Sequence, residues 1–389
     1  MKIVLTGGGT GGHVYPAISI AQALRDIAPD VELLFVGSSH GPEGEIAREA
    51  GIEFAAIPSG PLSKALSVRN ASSFGKLVAG VLRARGILKR FRPDVVIGTG
   101  GYTTAAILLA QKSLGGRIVI HEQNAHPGRT NLMLAKIADK ICVTFEGSAA
   151  FLPKDRVTVT GLPIRREIRS LPDKAEARRA LGLDENLFTV IAVGGSQGAK
   201  KPNEIIMNAW PLLDDGGTQL LHQVGARNVD EMRSVLPSVL GRDFKSRPST
   251  ERPNIEAEEH PRYRVEAYID MPLALASADL VISRSGGTVA EITAAGRPSI
   301  LFPYPYHKDQ HQKRNAEYLV EHGAAVMCED LFTTPEMLAG IISQLRSSPR
   351  KLAAMASASA ALGKPDAAER VAEIAMSVAK GIPSRNAER

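Results

Sequence analysis

The sequence predicts an α/β fold of two Rossmann-like domains, with parallel sheets facing a central cleft. Three observations carry this. Short apolar runs alternate with helical patterns along all 389 residues. Two runs open directly into glycine-rich turns. Ile3-Val4-Leu5 leads into Gly7-Gly8-Gly9-Thr10-Gly11-Gly12-His13, and Val190-Ile191-Ala192-Val193 leads into Gly194-Gly195-Ser196-Gln197-Gly198. Polar clusters follow nearly every predicted strand in both halves, at the carboxyl ends where α/β sheets place ligands.

In the first half, strands are predicted at 2–6, 31–36, 52–57, 94–98, 117–120, 140–143 and 157–160. In the second half they fall at 188–193, 219–223, 264–268, 279–282, 299–302 and 324–327. A chain of this length holds about two domains. Gly161-Leu162-Pro163-Ile164-Arg165 reads as the join, dividing the chain into 1–163 and 164–365, and an alanine-rich helical tail follows Pro365. The polar stretch Lys245–Arg264 carries three prolines and reads as a surface loop.

The first glycine stretch lies between a strand and a helix-like run from Tyr15 to Leu24. That order brings backbone N–H groups and a helix N-terminus up to an anionic ligand. Glycine is expected there for positive φ and for close approach. His13 ends the loop, so its ring is expected to face whatever the loop binds. Gly7-x-Gly9-x-x-Gly12 also fits a dinucleotide fingerprint. That reading wants an acid at the end of the second strand, where it meets a ribose. Glu32 stands at the start of that strand instead, which disfavours an NAD(P) site.

Composition narrows the classes further. Cys142 and Cys328 are too few for a disulfide framework or a zinc site. The glycine loop interrupts any secretory h-region, and no run approaches the roughly 20 apolar residues of a spanning helix. A cytosolic or peripheral protein is expected. The net charge of +6 favours an anionic partner. Between Glu53 and Asp94 there is no acid, while Lys64, Arg69, Lys76, Arg83, Arg85, Lys89, Arg90 and Arg92 all fall there. Leu77, Val81, Ala84, Leu88 and Phe91 keep helical spacing within it. This basic amphipathic segment suits either an anionic membrane surface or a solvated helix with its stripe on the core. Little aromatic interleaving argues against nucleic acid.

Four loops after predicted strands stand out: Gly98-Thr99-Gly100-Gly101-Tyr102, His121-Glu122-Gln123-Asn124, Arg284-Ser285-Gly286-Gly287-Thr288 and Tyr306-His307-Lys308-Asp309-Gln310-His311-Gln312. Taken with GGGTGGHVYPA at the start, GLPIR from Gly161, GGSQGA from Gly194, RSGGTVAE from Arg284 and Asn315, they resemble the MurG family. The pieces occur in family order from Met1 to about Asn315. That family's enzyme moves N-acetylglucosamine from UDP onto lipid I, making lipid II for peptidoglycan.

The resemblance implies the GT-B fold, with an N-terminal acceptor domain, a C-terminal donor domain and a last helix, about 366–380, crossing back onto the first. It implies an inverting transfer to the C4 hydroxyl of the muramoyl sugar. His13 would be the general base; a histidine has an ordinary pKa near 6.5 and suits that work. The alternative is that His13 only bonds the acceptor pyrophosphate or steadies the loop, with Glu122 and His121 as other candidate bases. Thr10, Gly11, Gly12 and the Gly100-Gly101-Tyr102 turn would cradle the lipid pyrophosphate or the sugar, and Asn124 would contact a sugar.

On the donor side, the diphosphate would meet the Gly287 and Thr288 amides at a helix N-terminus, Ser196 and Arg165. Glu291 would accept the ribose hydroxyls, the Ile269 backbone would read uracil, and His311 and Gln312 would meet the donor sugar or ribose. No Asp-x-Asp occurs, so no metal or other cofactor is expected. The donor loop is one residue shorter than is usual in the family. Expected partners are UDP-N-acetylglucosamine, lipid I and the anionic inner-membrane surface, met by segment 64–92 on the cytoplasmic face. A GT-B enzyme acting on another lipid or natural-product acceptor is the alternative.

Overall fold

The computed structural model describes residues 1–8, 11–60, 68–195, 198–240, 262–306 and 310–381, with the side chains of 68–74 and 237–240 outside that description. The chain forms two compact units, Met1–Arg166 with Lys364–Arg389, and Glu167–Gly363.

In the first unit the strands are β1 (Lys2–Thr6), β2 (Glu32–Ser38), β3 (Glu53–Ile57), β4 (Val95–Gly98), β5 (Ile118–Glu122), β6 (Lys140–Val143) and β7 (Val157–Val159). They pair in parallel in the order β3-β2-β1-β4-β5-β6-β7. Its helices are α1 (Gly11–Ile27), α2 (Glu43–Glu49), α3 (Val68–Phe91), α4 (Tyr102–Ser113) and α5 (Arg129–Leu134). Strand order reverses between β1 and β4, so the loops leaving these two strands diverge to opposite faces and open a crevice between them. Ile3 and Leu5 of β1 face one hydrophobic cluster and Val4 the other. Burial on both faces explains why these strands are nearly unbroken apolar runs.

The second unit carries α6 (Lys174–Leu181), β8 (Phe188–Val193), α7 (Lys200–Ala209), β9 (Thr218–Gln223), α8 (Val229–Leu240), β10 (Tyr263–Glu266), α9 (Met271–Ser277), β11 (Leu280–Ser283), α10 (Thr288–Ala294), β12 (Ser299–Leu301), α11 (His311–Glu321), β13 (Ala325–Met327), α12 (Pro335–Arg346) and α13 (Pro349–Leu362). Its parallel sheet runs β10-β9-β8-β11-β12-β13. The reversal here lies between β8 and β11. The second glycine loop and the Arg284 loop therefore flank the same crevice.

The last helix, α14 (Ala367–Lys380), belongs to the first unit. Ala368, Val371, Ala372, Ala375 and Val378 join Val14, Ala17, Ala21 and Leu24 of α1 in one cluster. Arg117 Nη1 donates to Val378 O at 2.7 Å and also to Ala379 O, satisfying carbonyls that a helix end leaves open.

Several expectations change. Among the described glycines of the first loop, Gly7, Gly8, Gly11 and Gly12, none has positive φ. Close packing is the reason for two of them: a methyl on Gly7 would strike Thr99 Oγ1, and one on Gly8 would strike the Glu43 carboxylate. Positive φ occurs at Gly100 (104°) and Gly101 (88°) instead. Strand β5 runs on through His121 and Glu122, and β10 ends at Glu266. Most of the Lys245–Arg264 stretch lies outside the described residues.

The apolar stripe of α3 also faces inward. Ala84 and Leu88 are buried, and Leu77, Val81 and Phe91 pack against the same core cluster. That stripe is packed on α4 and β3 and is not offered to a membrane. The exposed face of α3 presents Lys76, Val78, Leu82, Arg83, Lys89 and Arg90. Among the described residues no helix is long and apolar enough to cross a membrane.

Candidate active site

At the first unit's switch point, His13 sits in the opening turn of α1, right behind Gly11 and Gly12. Its Nδ1 lies 3.0 Å from Thr99 O, in the loop after β4. Thr99 Oγ1 donates back to His13 O at 2.6 Å. Gln123 Nε2 donates to the same Thr99 carbonyl at 2.9 Å. Gly100 is required here, since a methyl on it would stand 2.9 Å from His13 Nδ1. Tyr102 begins α4 directly after the Gly100-Gly101 turn. Thr10 lies outside the described residues.

The four residues His121 to Asn124 have separate jobs. His121 is fully buried, with Nε2 2.8 Å from Gly161 O. Burial drives its pKa down to about 4, against a smaller upward pull from that hydrogen bond. A neutral imidazole in the core does not serve as a base for substrate. Glu122 is buried too. Its Oε1 accepts from Asn124 N (2.9 Å) and Asn124 Nδ2 (3.2 Å), and its Oε2 from Gly128 N (3.0 Å) and Asn131 Nδ2 (2.8 Å). Such a carboxylate shapes the 124–131 loop, and the candidate-base role for it gives way to this one. Asn124 is thus held by its neighbour two residues back. Asn131, which no motif singled out, anchors the loop through Glu122 and His121 O.

Arg165 is the remaining candidate in this unit. Its guanidinium carbon lies 5.9 Å from the centre of the Tyr15 ring, a cation–π contact with α1.

In the second unit, two segments meet around Ser285. Ser285 Oγ donates to Gln312 O at 2.8 Å, and Asn315 Nδ2 donates to Ser285 O at 3.1 Å. Gln312 Oε1 accepts from Tyr304 N at 3.0 Å, and its Nε2 lies near Gly286. This brings Gly287, the N-cap of α10, and Thr288, its first residue, together with His311 and Gln312 at the start of α11. Glu291 follows one turn into α10 and is 9% exposed. Arg284 braces the loop from behind through paired bonds to Asp330, at 2.7 and 2.8 Å. Its spacing gave no signal, because Asp330 follows a different strand.

Ile269 lies just past β10, and its N–H donates to Gln223 Oε1 at 3.2 Å. Gln223 O accepts from Gly194 N at 3.0 Å. The end of β9 therefore ties Ile269 to the second glycine loop. Ser196, and His307, Lys308 and Asp309 of the last motif, lie outside the described residues. Among the described residues no three His, Cys, Asp or Glu side chains converge as metal ligands.

Two Rossmann-like units, each with a glycine loop at its switch point, define the GT-B fold class. Residues 3–143 match the glycosyltransferase family 28 N-terminal domain, and residues 189–371 its C-terminal domain. A protein of Desulforudis audaxviator is 40% identical over 377 residues, covering 96% of this chain and 97% of its own. One from Desulforamulus reducens is 38% identical over 387 residues, covering 98% and 99%. Both are named UDP-N-acetylglucosamine--N-acetylmuramyl-(pentapeptide) pyrophosphoryl-undecaprenol N-acetylglucosamine transferase. The solved structure of Acinetobacter baumannii MurG superposes with a TM-score of 0.72 at 26% identity, covering 96% of this chain and 99% of its own. S. aureus MnaA, solved with UDP, shares the fold at a TM-score of 0.69 and 16% identity, covering 99% of each chain. The chain belongs to the MurG family of N-acetylglucosamine transferases.

Proposed function

We propose that this enzyme transfers N-acetylglucosamine from UDP-N-acetylglucosamine to the C4 hydroxyl of the N-acetylmuramoyl sugar of lipid I, forming lipid II. The observation that carries this is 40% identity, over nearly the whole chain, to a transferase named for that reaction. The same likeness disfavours a different lipid or natural-product acceptor.

In the proposed step the C4 oxygen attacks C1 of the donor sugar from the face opposite UDP. The C1–O bond to the diphosphate breaks with its electron pair, leaving UDP and an inverted anomeric centre. The hydroxyl proton passes to His13. The Nδ1 contact with Thr99 O supports this, because a carbonyl only accepts and Nδ1 must then carry the ring proton. Nε2 is left as the basic nitrogen. Gly11, Gly12, Thr10 and Tyr102 would hold the acceptor, with Asn124 on a sugar.

Charge accumulates on the leaving diphosphate, so donors fixed in advance lower the barrier. Gly287 and Thr288 at the start of α10, with Ser196 and Arg165, are the donors we assign. Glu291 would take the ribose hydroxyls, the Ile269 backbone the uracil, and His311 and Gln312 the sugar or ribose. On this reading, residues 1–163 with helix 366–380 bind acceptor, and 164–365 bind donor.

Lipid I is membrane-bound, and the exposed face of α3 offers Val78 and Leu82 among four cations. That face would rest on the anionic inner leaflet from the cytoplasmic side. The test of function is transfer of radiolabelled N-acetylglucosamine to a soluble short-chain lipid I analogue, with UDP-glucose and UDP-N-acetylgalactosamine as competitors. Transfer confined to UDP-N-acetylglucosamine is expected. Donor binding without transfer would reject the acceptor.

A further inference from the structure

A line of hydrogen bonds crosses the core of the second unit from β10 to the second glycine loop. Tyr263 Oη lies 2.9 Å from His222 Nδ1, and His222 Nε2 lies 3.1 Å from Asn203 Oδ1. Asn203 Nδ2 donates to Val224 O at 3.0 Å. All three side chains are buried.

Chemistry sets the direction of every bond. Val224 O can only accept, so the Asn203 amide turns its nitrogen to it and its oxygen to His222. That oxygen can only accept, so Nε2 carries the imidazole proton. Nδ1 is then the lone-pair nitrogen, and the Tyr263 hydroxyl donates to it. Burial lowers the His222 pKa to about 3, so the ring stays neutral and the direction does not reverse at ordinary pH.

The line ends on the loop rather than in the core. Val224 O also accepts from Asn228 Nδ2 at 2.8 Å. A methyl on Gly198 would strike both of these groups. A methyl on Gly194 would stand 3.2 Å from Asn203 Oδ1 and 3.1 Å from Ala199 N. Gly195 and Gly198 have φ of 76° and 75°, a shape that side chains rarely adopt. Both described ends of the loop therefore rest on the last members of the line. Three apolar side chains would fill the same volume without a directional path, and a buried polar chain is costly unless every member is satisfied.

We propose that Tyr263, His222 and Asn203 are positioning residues for the donor nucleotide, holding Val224 and both ends of the second glycine loop in the shape that meets the UDP diphosphate. This rests on the donor reading of the second unit.

The test compares wild type, Tyr263→Phe and Asn203→Asp by calorimetric titration with UDP, by donor and acceptor KM with kcat, and by Tm. Phe keeps the ring and removes the donor to Nδ1. Asp still accepts from Nε2–H but turns an acceptor toward Val224 O. Loss of one buried hydrogen bond predicts a UDP Kd and donor KM raised about three- to tenfold in Tyr263→Phe, and more than about tenfold in Asn203→Asp. Acceptor KM should hold within about twofold, while kcat falls along with UDP affinity, because the same loop bears Ser196, assigned above to the leaving diphosphate. Folded variants with a lowered Tm and wild-type UDP affinity would reduce the line to core packing and overturn the proposal. Should Asn203→Asp not fold, Tyr263→Phe decides alone. Wild-type protein that ignores UDP would reject the donor reading itself, an outcome read before any variant is compared.

Discussion

His13 Nδ1 and the carbonyl oxygen of Thr99 meet at 3.0 Å across 86 residues of chain. The contact joins the loops that leave β1 and β4, the two strands at the switch point of the first sheet. Gln123 holds the same carbonyl from the next loop. The ring is thus oriented by three loops, and its tautomer is set by one oxygen.

If His13 takes the C4 proton, His13→Ala should lower kcat about 10²–10⁴-fold, the ordinary contribution of a general base. UDP affinity should be unchanged, since the residues proposed for the ribose, the uracil and the donor sugar belong to the second unit. Steady-state kinetics paired with UDP titration reads both quantities. Loss of donor binding with little change in kcat would remove His13 from the chemistry.

Glu122 gives a contrasting expectation. Glu122→Gln keeps the side-chain shape but turns one NH₂ group toward backbone and amide donors that need an acceptor. A stability loss of about 1–3 kcal/mol is expected, with a raised acceptor KM. The pH profile of kcat should keep its shape, because the group orients the 124–131 loop and moves no proton. Loss of the acidic limb of that profile would restore the carboxylate as a base.

Much of this was legible in the sequence. Each of the thirteen described strands overlaps a predicted one, and the inner strands are largely apolar because a parallel sheet buries them on both faces, whereas the edge strand β10 alternates. The ends were less legible. His121 and Glu122 are polar yet belong to β5: His121 is satisfied by Gly161 O from a distant segment, and Glu122 by the loop that directly follows it. The same limit hid the reason for Gly7 and Gly8, which is collision with Thr99 and Glu43 across the sheet. Periodicity revealed the stripe on α3 but not what covers it. Tyr263, His222 and Asn203 lie 41 and 19 residues apart along the chain, beyond any local pattern.

Glu291 is the donor-side residue most open to test. A charged carboxylate accepting hydroxyls contributes about 1.5–3 kcal/mol. Glu291→Ala should therefore weaken UDP-N-acetylglucosamine about 10- to 100-fold by calorimetry. Unchanged affinity would show that the ribose is held elsewhere.

The exposed side of α3 carries the membrane prediction. Leu82 is 65% exposed beside Arg83. Leu82→Glu removes an apolar contact and adds a charge that an anionic surface repels, each worth about 1 kcal/mol or more. Sedimentation with phosphatidylglycerol–phosphatidylethanolamine vesicles should show binding reduced about tenfold or more. Turnover of a soluble acceptor should be unaffected. Wild-type vesicle binding by the variant would reject this face as the contact.

Two buried histidines, one in each unit, predict how stability falls in acid. Desolvation lowers His121 to about 4 and His222 to about 3 in the folded chain. An unfolded histidine titrates near 6.5. Below that value the unfolded chain binds protons that the native state refuses. Their stabilisation is thus complete above pH 6.5 and lost as pH falls toward each folded value. The slope approaches about 1.4 kcal/mol per pH unit for each ring, or roughly 2 kcal/mol each by pH 5. Calorimetry at pH 7.5 and 5 should show both units destabilised. His121→Gln replaces the ring with a group that still donates to Gly161 O and does not titrate. It should flatten the acid slope of the first unit and leave that of the second. An unaltered slope in that variant would place the acid sensitivity of the first unit on other groups.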